Sequence, residues 1–238
     1  MLRHSPERVF EVWVQAGRTD RRAGSLLALA AGHQVHVEEA TSNQLDRLCG
    51  GAAHQGVVAR VRTLGPWDEA RLFDLLENLA RPPLLLVLDG ITDPHNLGAC
   101  LRSADAAGVD AVIATRDRAA SLDGAARKVA AGAAEFVPFV AVTNLVRTLD
   151  SLKERGIWVA GLAGEAPSPL YERDLTGALA IVAGAEGQGL RRLTREHCDF
   201  LLRIPMSGHV ESLNVSVSTG IALFEAVRQR LAAAGPRP

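Results

Sequence analysis

Asn96 and Arg102 are the first residues of this 238-residue chain that invite a chemical reading. They lie in Asp93-Pro94-His95-Asn96-Leu97-Gly98 through Arg102, just after the apolar run Leu84–Leu88. A primary amide orients a bound group and a guanidinium holds an anion, so the chemistry on offer is positioning and charge stabilisation. Asp93 suits a helix cap and Pro94 the first helical position. Gly98 then sits where Ala would favour the helix by about 1 kcal/mol, so something other than helix stability asks for it. The plain alternative is a capped strand-to-helix turn in which Gly98 permits close helix–sheet packing and Arg102 is solvated. On an ideal helix Asn96 and Arg102 are about 9 Å apart along the axis and roughly 120° apart around it. They converge on one substrate only if the first turn is irregular.

A second turn, Gly184-Ala185-Glu186-Gly187-Gln188-Gly189, follows the apolar run Leu179–Val182. Its glycines are spaced G-x-x-G-x-G, unlike the G-x-G-x-x-G of dinucleotide loops. Glu186 would repel a pyrophosphate where a phosphate loop needs bare N–H groups. A cationic ligand without phosphates fits better, and S-adenosylmethionine meets that description. The third turn, Pro205-Met206 through Ser212-Leu213-Asn214-Val215-Ser216, follows Leu201–Ile204. Ser212 is placed to cap the last helix, and Asn214 to point polar atoms into the turn. Nucleophilic catalysis has little support: Ser207, Ser212, Ser216 and Ser218 lack a G-x-S-x-G elbow. Cys49, Cys100 and Cys198 form neither a C-x-x-C pair nor a Cys/His cluster, so neither a disulfide framework nor a metal site is expected. Of the seven histidines, His54 in Ala53-His54-Gln55-Gly56, just before a strand, is the one to watch.

The elements that must position these turns alternate apolar runs with helical stretches, the pattern of an α/β protein with a parallel sheet. The first third reads as strand Val9–Val14, helix Arg21–Ala31, strand Gln34–Val37, helix Ser42–Leu48 and strand Val57–Val61. Thr63-Leu64-Gly65-Pro66-Trp67 then punctuates the chain, Leu72, Phe73, Leu76 and Leu79 follow at helical spacing, and Arg81-Pro82-Pro83 stops them. A domain boundary is therefore expected within residues 63–83. Beyond it, Leu84–Leu88, Ala111–Ala114, Phe136–Val140, Ile157–Gly161, Leu179–Val182 and Leu201–Ile204 are apolar throughout, as in a sheet covered on both faces. Helices are expected at Pro94–Ala107, Thr143–Arg155 and Ser212–Leu231. In the last, Leu213, Val217, Ile221, Phe224, Val227 and Leu231 form a stripe expected to pack on the sheet.

Composition is 47% hydrophobic and 4% aromatic, which excludes disordered, collagen-like and disulfide-scaffold classes. No apolar run is long enough for a membrane span and no leader-like segment opens the chain, so a reducing cytoplasm is the expected compartment. The formal charge of −1 argues at first against a nucleic-acid partner. Yet all 26 basic residues except Lys128 and Lys153 are arginines, the side chain suited to bidentate phosphate contact. Arg60 and Arg62 follow the His54 turn, and Arg191, Arg192 and Arg195 follow the Gly184 turn.

Taken together, the three turns resemble the three signature motifs of the SpoU-type (TrmH-like) branch of the SPOUT methyltransferases. Residues 93–102 match the first motif, Val182 to Gly189 the second, and Ile204-Pro205-Met206 with Ser212-Leu213-Asn214-Val215-Ser216 the third. The resemblance extends over almost the whole chain and is greatest to the branch that methylates a guanosine of large-subunit (23S) ribosomal RNA. It implies methyl transfer from S-adenosylmethionine, without a metal, to a ribose 2′-hydroxyl in the peptidyl-transferase P-site loop. A transfer RNA substrate and an inactive ribosome-assembly factor of the same fold are the alternatives. The implied architecture is a SPOUT catalytic domain over residues 84–238, with a parallel sheet and a trefoil knot, joined by a linker over 64–83 to an L30e-like RNA-binding α/β domain over 1–63. Leu2–Glu7 looks like the end of the relatives' first helix, so that domain is expected to lack their opening strand and most of that helix. The resemblance assigns catalytic roles to Asn96, Arg102, Glu186, Ser212 and Asn214. It assigns the methyl donor to Gly184, Ile204, Met206 and Leu213, RNA contact to His54, Gln55 and Arg60, and completion of the site to homodimerisation. Neutralising a guanidinium at pH 7 costs at least about 7 kcal/mol, so Arg102 is expected to act electrostatically rather than as a base.

Overall fold

The computed structural model describes residues 1–3, 5–51, 53–62, 65–117 and 119–235. Thr63 and Leu64, where the expected boundary begins, lie outside the described residues. The chain divides into two compact units, Met1–Gly65 and Pro66–Pro238.

The first unit contains β1 (Val9–Gln15), α1 (Arg21–Gly32), β2 (His36–Ala40), α2 (Ser42–Leu48) and β3 (Val57–Val61). Its sheet has the order β2-β1-β3, with β1 parallel to β2 and antiparallel to β3. Asp20 caps α1 by accepting from the Arg22 and Ala23 N–H groups, and Thr41 with Gln44 forms a capping box on α2. The strand expected at Gln34–Val37 begins two residues later, because Gln34 takes a left-handed conformation (φ 57°) that closes α1.

The second unit contains α3 (Glu69–Glu77), β4 (Leu84–Asp89), α4 (Pro94–Ala106), β5 (Ala111–Thr115), α5 (Gly124–Val129), β6 (Phe139–Val142), α6 (Leu145–Glu154), β7 (Trp158–Leu162), β8 (Ser168–Pro169), β9 (Leu179–Gly184), α7 (Arg192–Glu196), β10 (Phe200–Arg203) and α8 (Val215–Ala233). All seven strands run parallel, in the order β6-β5-β4-β9-β7-β10-β8. Successive side chains of a strand face opposite sides of its sheet. Leu84, Leu86 and Leu88 accordingly join α4, α5 and α8 in one apolar layer, while Leu85 and Val87 join α3 and α6 in the other. The segment expected as a linker thus carries α3, whose Leu72 is fully buried against the sheet. The last strand, β10, pairs with both β7 and β8 and is laid between them.

Three expectations are corrected. The strand expected at Phe136–Val140 lies at Phe139–Val142, after Pro138, because the chain before it is taken up by a short 3-10 turn at Ala133–Glu135. The last helix starts at Val215 rather than Ser212, and Asn214 is its cap, with Oδ1 accepting from the Ser216 N–H. Its buried residues are Val215, Thr219, Ala222, Leu223, Glu225 and Ala226. Ile221 and Val227 pack on that layer, but Val217, Phe224 and Leu231 are 49%, 48% and 53% exposed. A stripe that looked like core is largely outside it.

Candidate functional site

Strand β4 delivers the first turn. Asp93 caps α4 by accepting from the His95 N–H at 3.0 Å, and this bond holds its carboxyl below the usual carboxylate range. Asn96, in the first turn of α4, is buried. Gly98 is demanded by packing, but on α5 rather than on the sheet: a Cβ there would meet the Ala126 carbonyl oxygen at 2.5 Å and Val129 Cβ at 2.7 Å. Arg102 is exposed and has no side-chain hydrogen bond or ion pair among the described residues.

Strand β9 delivers the second turn. It closes on itself through the Gly189 N–H, which donates to the Ala185 carbonyl at 2.9 Å. Gly184 faces the backbone of Gly189 and Leu190 so closely that a Cβ would come within 2.1 Å of the Gly189 carbonyl carbon. Gly187 and Gly189 hold φ of +73° and +66°, the left-handed region that glycine enters without strain.

The third turn reaches α8 at Asn214, and here the three turns meet. Asn214 Nδ2 donates to Asn96 Oδ1 at 2.9 Å and to Glu186 Oε1, while Asn214 Oδ1 accepts from the Ser216 N–H at 2.9 Å and from Ser216 Oγ at 2.6 Å. Every donor and acceptor of the Asn214 amide is used. Cys100, beneath α8 near Thr219 Oγ1, is pushed up to about 11 by burial, with the nearby Glu186 charge acting in the same direction. It is no candidate nucleophile.

Beside this junction is a cleft of about 840 Å³, within the usual range for small-molecule sites. Gly184, Ile204, Met206 and Leu213 line it together with Glu186, Ser212 and Asn214. Its charged lining is Glu165, Glu186, Glu211 and Arg195, an excess of carboxylates that suits a cation and disfavours a phosphate. The donor set therefore fits a sulfonium nucleoside. Sequence reasoning missed Glu165 and gave no site role to Arg195, its ion-pair partner at the cleft, or to Ser216, which locks Asn214. The arginine cluster after Gly189 was the one signal available for Arg195.

The expected residues do not all converge. Ser212 lines the cleft but caps nothing, because Asn214 holds that position. Arg102 is on the same helix as Asn96 but outside the Asn96–Asn214–Glu186 junction. In the first unit, His54 Nδ1 accepts from the Gly56 N–H at 3.0 Å and His54 Nε2 lies 3.3 Å from Asp46 Oδ1 on α2, so one ring nitrogen closes the turn and the other ties it to that helix. Gln55 is exposed with φ +49°, its carbonyl receiving Arg18. Arg60 pairs with Glu11 at 3.1 Å on β1. Among the described residues no helix is long and apolar enough to cross a membrane.

Residues 83–224 match the SpoU rRNA Methylase family, and residues 1–67 match a family described as RNA 2′-O ribose methyltransferase substrate binding. The chain is 58% identical over 230 residues to the 23S rRNA (guanosine-2′-O-)-methyltransferase RlmB of Pseudomonas putida, covering 97% of this chain and 92% of that one. It is 56% identical to the Escherichia coli K12 protein of the same name, covering 97% and 94%. Among solved structures, the SpoU methyltransferase AviRb of Streptomyces viridochromogenes in complex with AdoMet superposes with a TM-score of 0.78 at 25% identity, covering 97% of this chain and 87% of that one. A parallel α/β domain with a three-turn site, in one chain with a unit that matches a substrate-binding family, is thus the architecture of a methyltransferase. The chain belongs to the SpoU rRNA methylase family.

Proposed function

We propose that this chain methylates the ribose 2′-hydroxyl of a guanosine in the P-site loop of 23S ribosomal RNA, using S-adenosylmethionine, and that it works in the cytoplasm as a homodimer. The observation that carries this reading is the Asn214 amide, which ties the three turns together beside an acid-lined cleft. The relatives' shared 23S rRNA guanosine specificity supports the substrate. The apolar residues left uncovered on α8 support the dimer.

When bound, the donor supplies an electrophilic methyl group on a cationic sulfur. Glu186 and its neighbouring carboxylates favour that charge in the cleft, and Gly184, Ile204, Met206 and Leu213 enclose the donor. Asn96 Nδ2 has no protein acceptor among the described residues, so it is free to orient the ribose. Arg102, exposed and unpaired among the described residues, holds a substrate phosphate and stabilises the alkoxide as it develops, while the hydroxyl proton passes to that phosphate. The first unit holds the surrounding RNA through His54, Gln55 and Arg60. The domain assignment proposed is RNA binding before residue 64 and methyl transfer from residue 84 onward.

Incubating the protein with methyl-labelled donor and unmodified 23S ribosomal RNA, then mapping the label, tests this. Label on one guanosine ribose of the P-site loop is expected. Label in transfer RNA alone, or no label although donor binds, overturns it.

A further inference from the structure

We propose that Arg191 is a phosphate-binding residue for the RNA substrate, seated by Asp89 and Gly90; this rests on the RNA-methylation reading above. Asp89 is the last residue of β4 and pairs in register with Gly184, beside the second turn. Its side chain is fully enclosed. Oδ2 accepts the Arg191 backbone N–H at 2.8 Å, whereas Oδ1 is buried with no hydrogen-bond partner. The nearest cation to Oδ1 is Arg191 Nε at 3.6 Å, too far for a hydrogen bond but close enough to compensate the charge. A buried carboxylate oxygen left this way is costly, and its persistence calls for an explanation.

The explanation lies in what the carboxylate does to the arginine. Gly90 has φ +73°, and a Cβ there would lie 2.8 Å from Arg191 Nη2, 3.2 Å from Cζ and 3.3 Å from Nε. The guanidinium therefore rests over a bare Cα, held from behind by Asp89. The arginine side chain is 50% exposed, and neither terminal nitrogen has a protein acceptor among the described residues. Local structure makes no demand for arginine here: the residue precedes α7, where its side chain makes no cap, and the hydrogen bond to Asp89 comes from its backbone N–H, which any residue but proline supplies. The result is a two-pronged donor with its outer edge open, the geometry that matches two phosphate oxygens. It stands over Gly90, in the loop that runs from β4 to Asn96, and follows in the chain directly after the turn that carries Glu186. A phosphodiester flanking the target nucleotide is the ligand this position suits.

The test compares wild type with Arg191→Ala, Arg191→Lys and the double variant Asp89→Asn/Arg191→Ala, in which the buried charge leaves with the guanidinium and an acceptor remains for the backbone N–H. Affinity for a 23S ribosomal RNA fragment containing the P-site loop is measured across salt concentrations, and donor affinity by calorimetry. The Ala and double variants should bind RNA roughly 10-fold more weakly, with the log–log salt slope shallower by about 0.7–0.9. Lys should keep the slope and lose only several-fold in affinity, and donor affinity should not change. Wild-type RNA affinity and slope in the double variant overturns the proposal, as does a parallel fall in donor affinity. Failure of the functional reading is a separate result: wild-type protein that binds the fragment but leaves it unlabelled.

Discussion

The Asn214 side-chain amide donates to Asn96 Oδ1 at 2.9 Å, joining residues 118 positions apart in the chain. The same nitrogen donates to Glu186 Oε1. One side chain therefore holds the first helix of the site to the glycine turn while capping the last helix, so positioning and stability are separable by substitution.

Asn214→Asp keeps a good N-cap and so should change stability by less than about 1 kcal/mol, whereas Asn214→Ala should cost about 1 kcal/mol. Asp places a second carboxylate against Glu186 and removes the donor to Asn96. Like charges raise one of the two pKa values, so the Asp variant should be about 100-fold slower at neutral pH and recover as pH falls. Adding Glu186→Gln should relieve the repulsion. A pH–rate profile for the Asp variant parallel to wild type would remove this junction from the mechanism.

Gly184→Ala drives a Cβ to within 2.1 Å of the Gly189 backbone and must spread the turn. Donor affinity should fall about 10-fold or more by calorimetry, since misplaced backbone donors cost roughly 1.4 kcal/mol per decade of affinity. Unchanged affinity removes the turn from the donor site.

Arg102→Ala should slow single-turnover methylation by about two orders of magnitude or more, the scale of a lost charge-stabilising donor. The residue has no side-chain partner among the described residues to lose, so melting temperature and donor affinity should stay near wild type. Normal turnover would sink the assignment.

Val217→Glu with Phe224→Glu places charges on the uncovered face of α8. Sedimentation should report a dimer for wild type and a monomer for this variant, with methylation lost and donor binding weakened. A wild-type monomer that methylates RNA disposes of the dimer.

The site was more legible in the sequence than the packing around it. Asn96, Glu186 and Asn214 each follow an apolar run, and turns beyond the ends of parallel strands are where such sheets bind ligands. The Asn214 cap escaped notice because Ser212 and Asn214 are both good caps by type and only the φ/ψ of the following residues decides between them. Gly98 signalled a close approach but not its partner, since α5 is a six-residue Ala-rich helix with little periodicity. The exposed stripe of α8 failed for a deeper reason: apolar spacing marks a face to be covered and does not say whether the cover is the same chain. Asp89 closes an apolar run and could be read only as the end of a strand.

The position of β10 between β7 and β8 sets an order on how the molecule can be completed. The last strand cannot take both neighbours until the crossover joining them exists, and Leu202, Ile204, Met206 and Leu213, all lining the cleft, arrive with it or after it. The binding cavity is therefore complete only once β10 is in place. A ligand of that cavity binds molecules in which it is complete and favours them by mass action, so the stoichiometry of donor binding counts the chains that have assembled it.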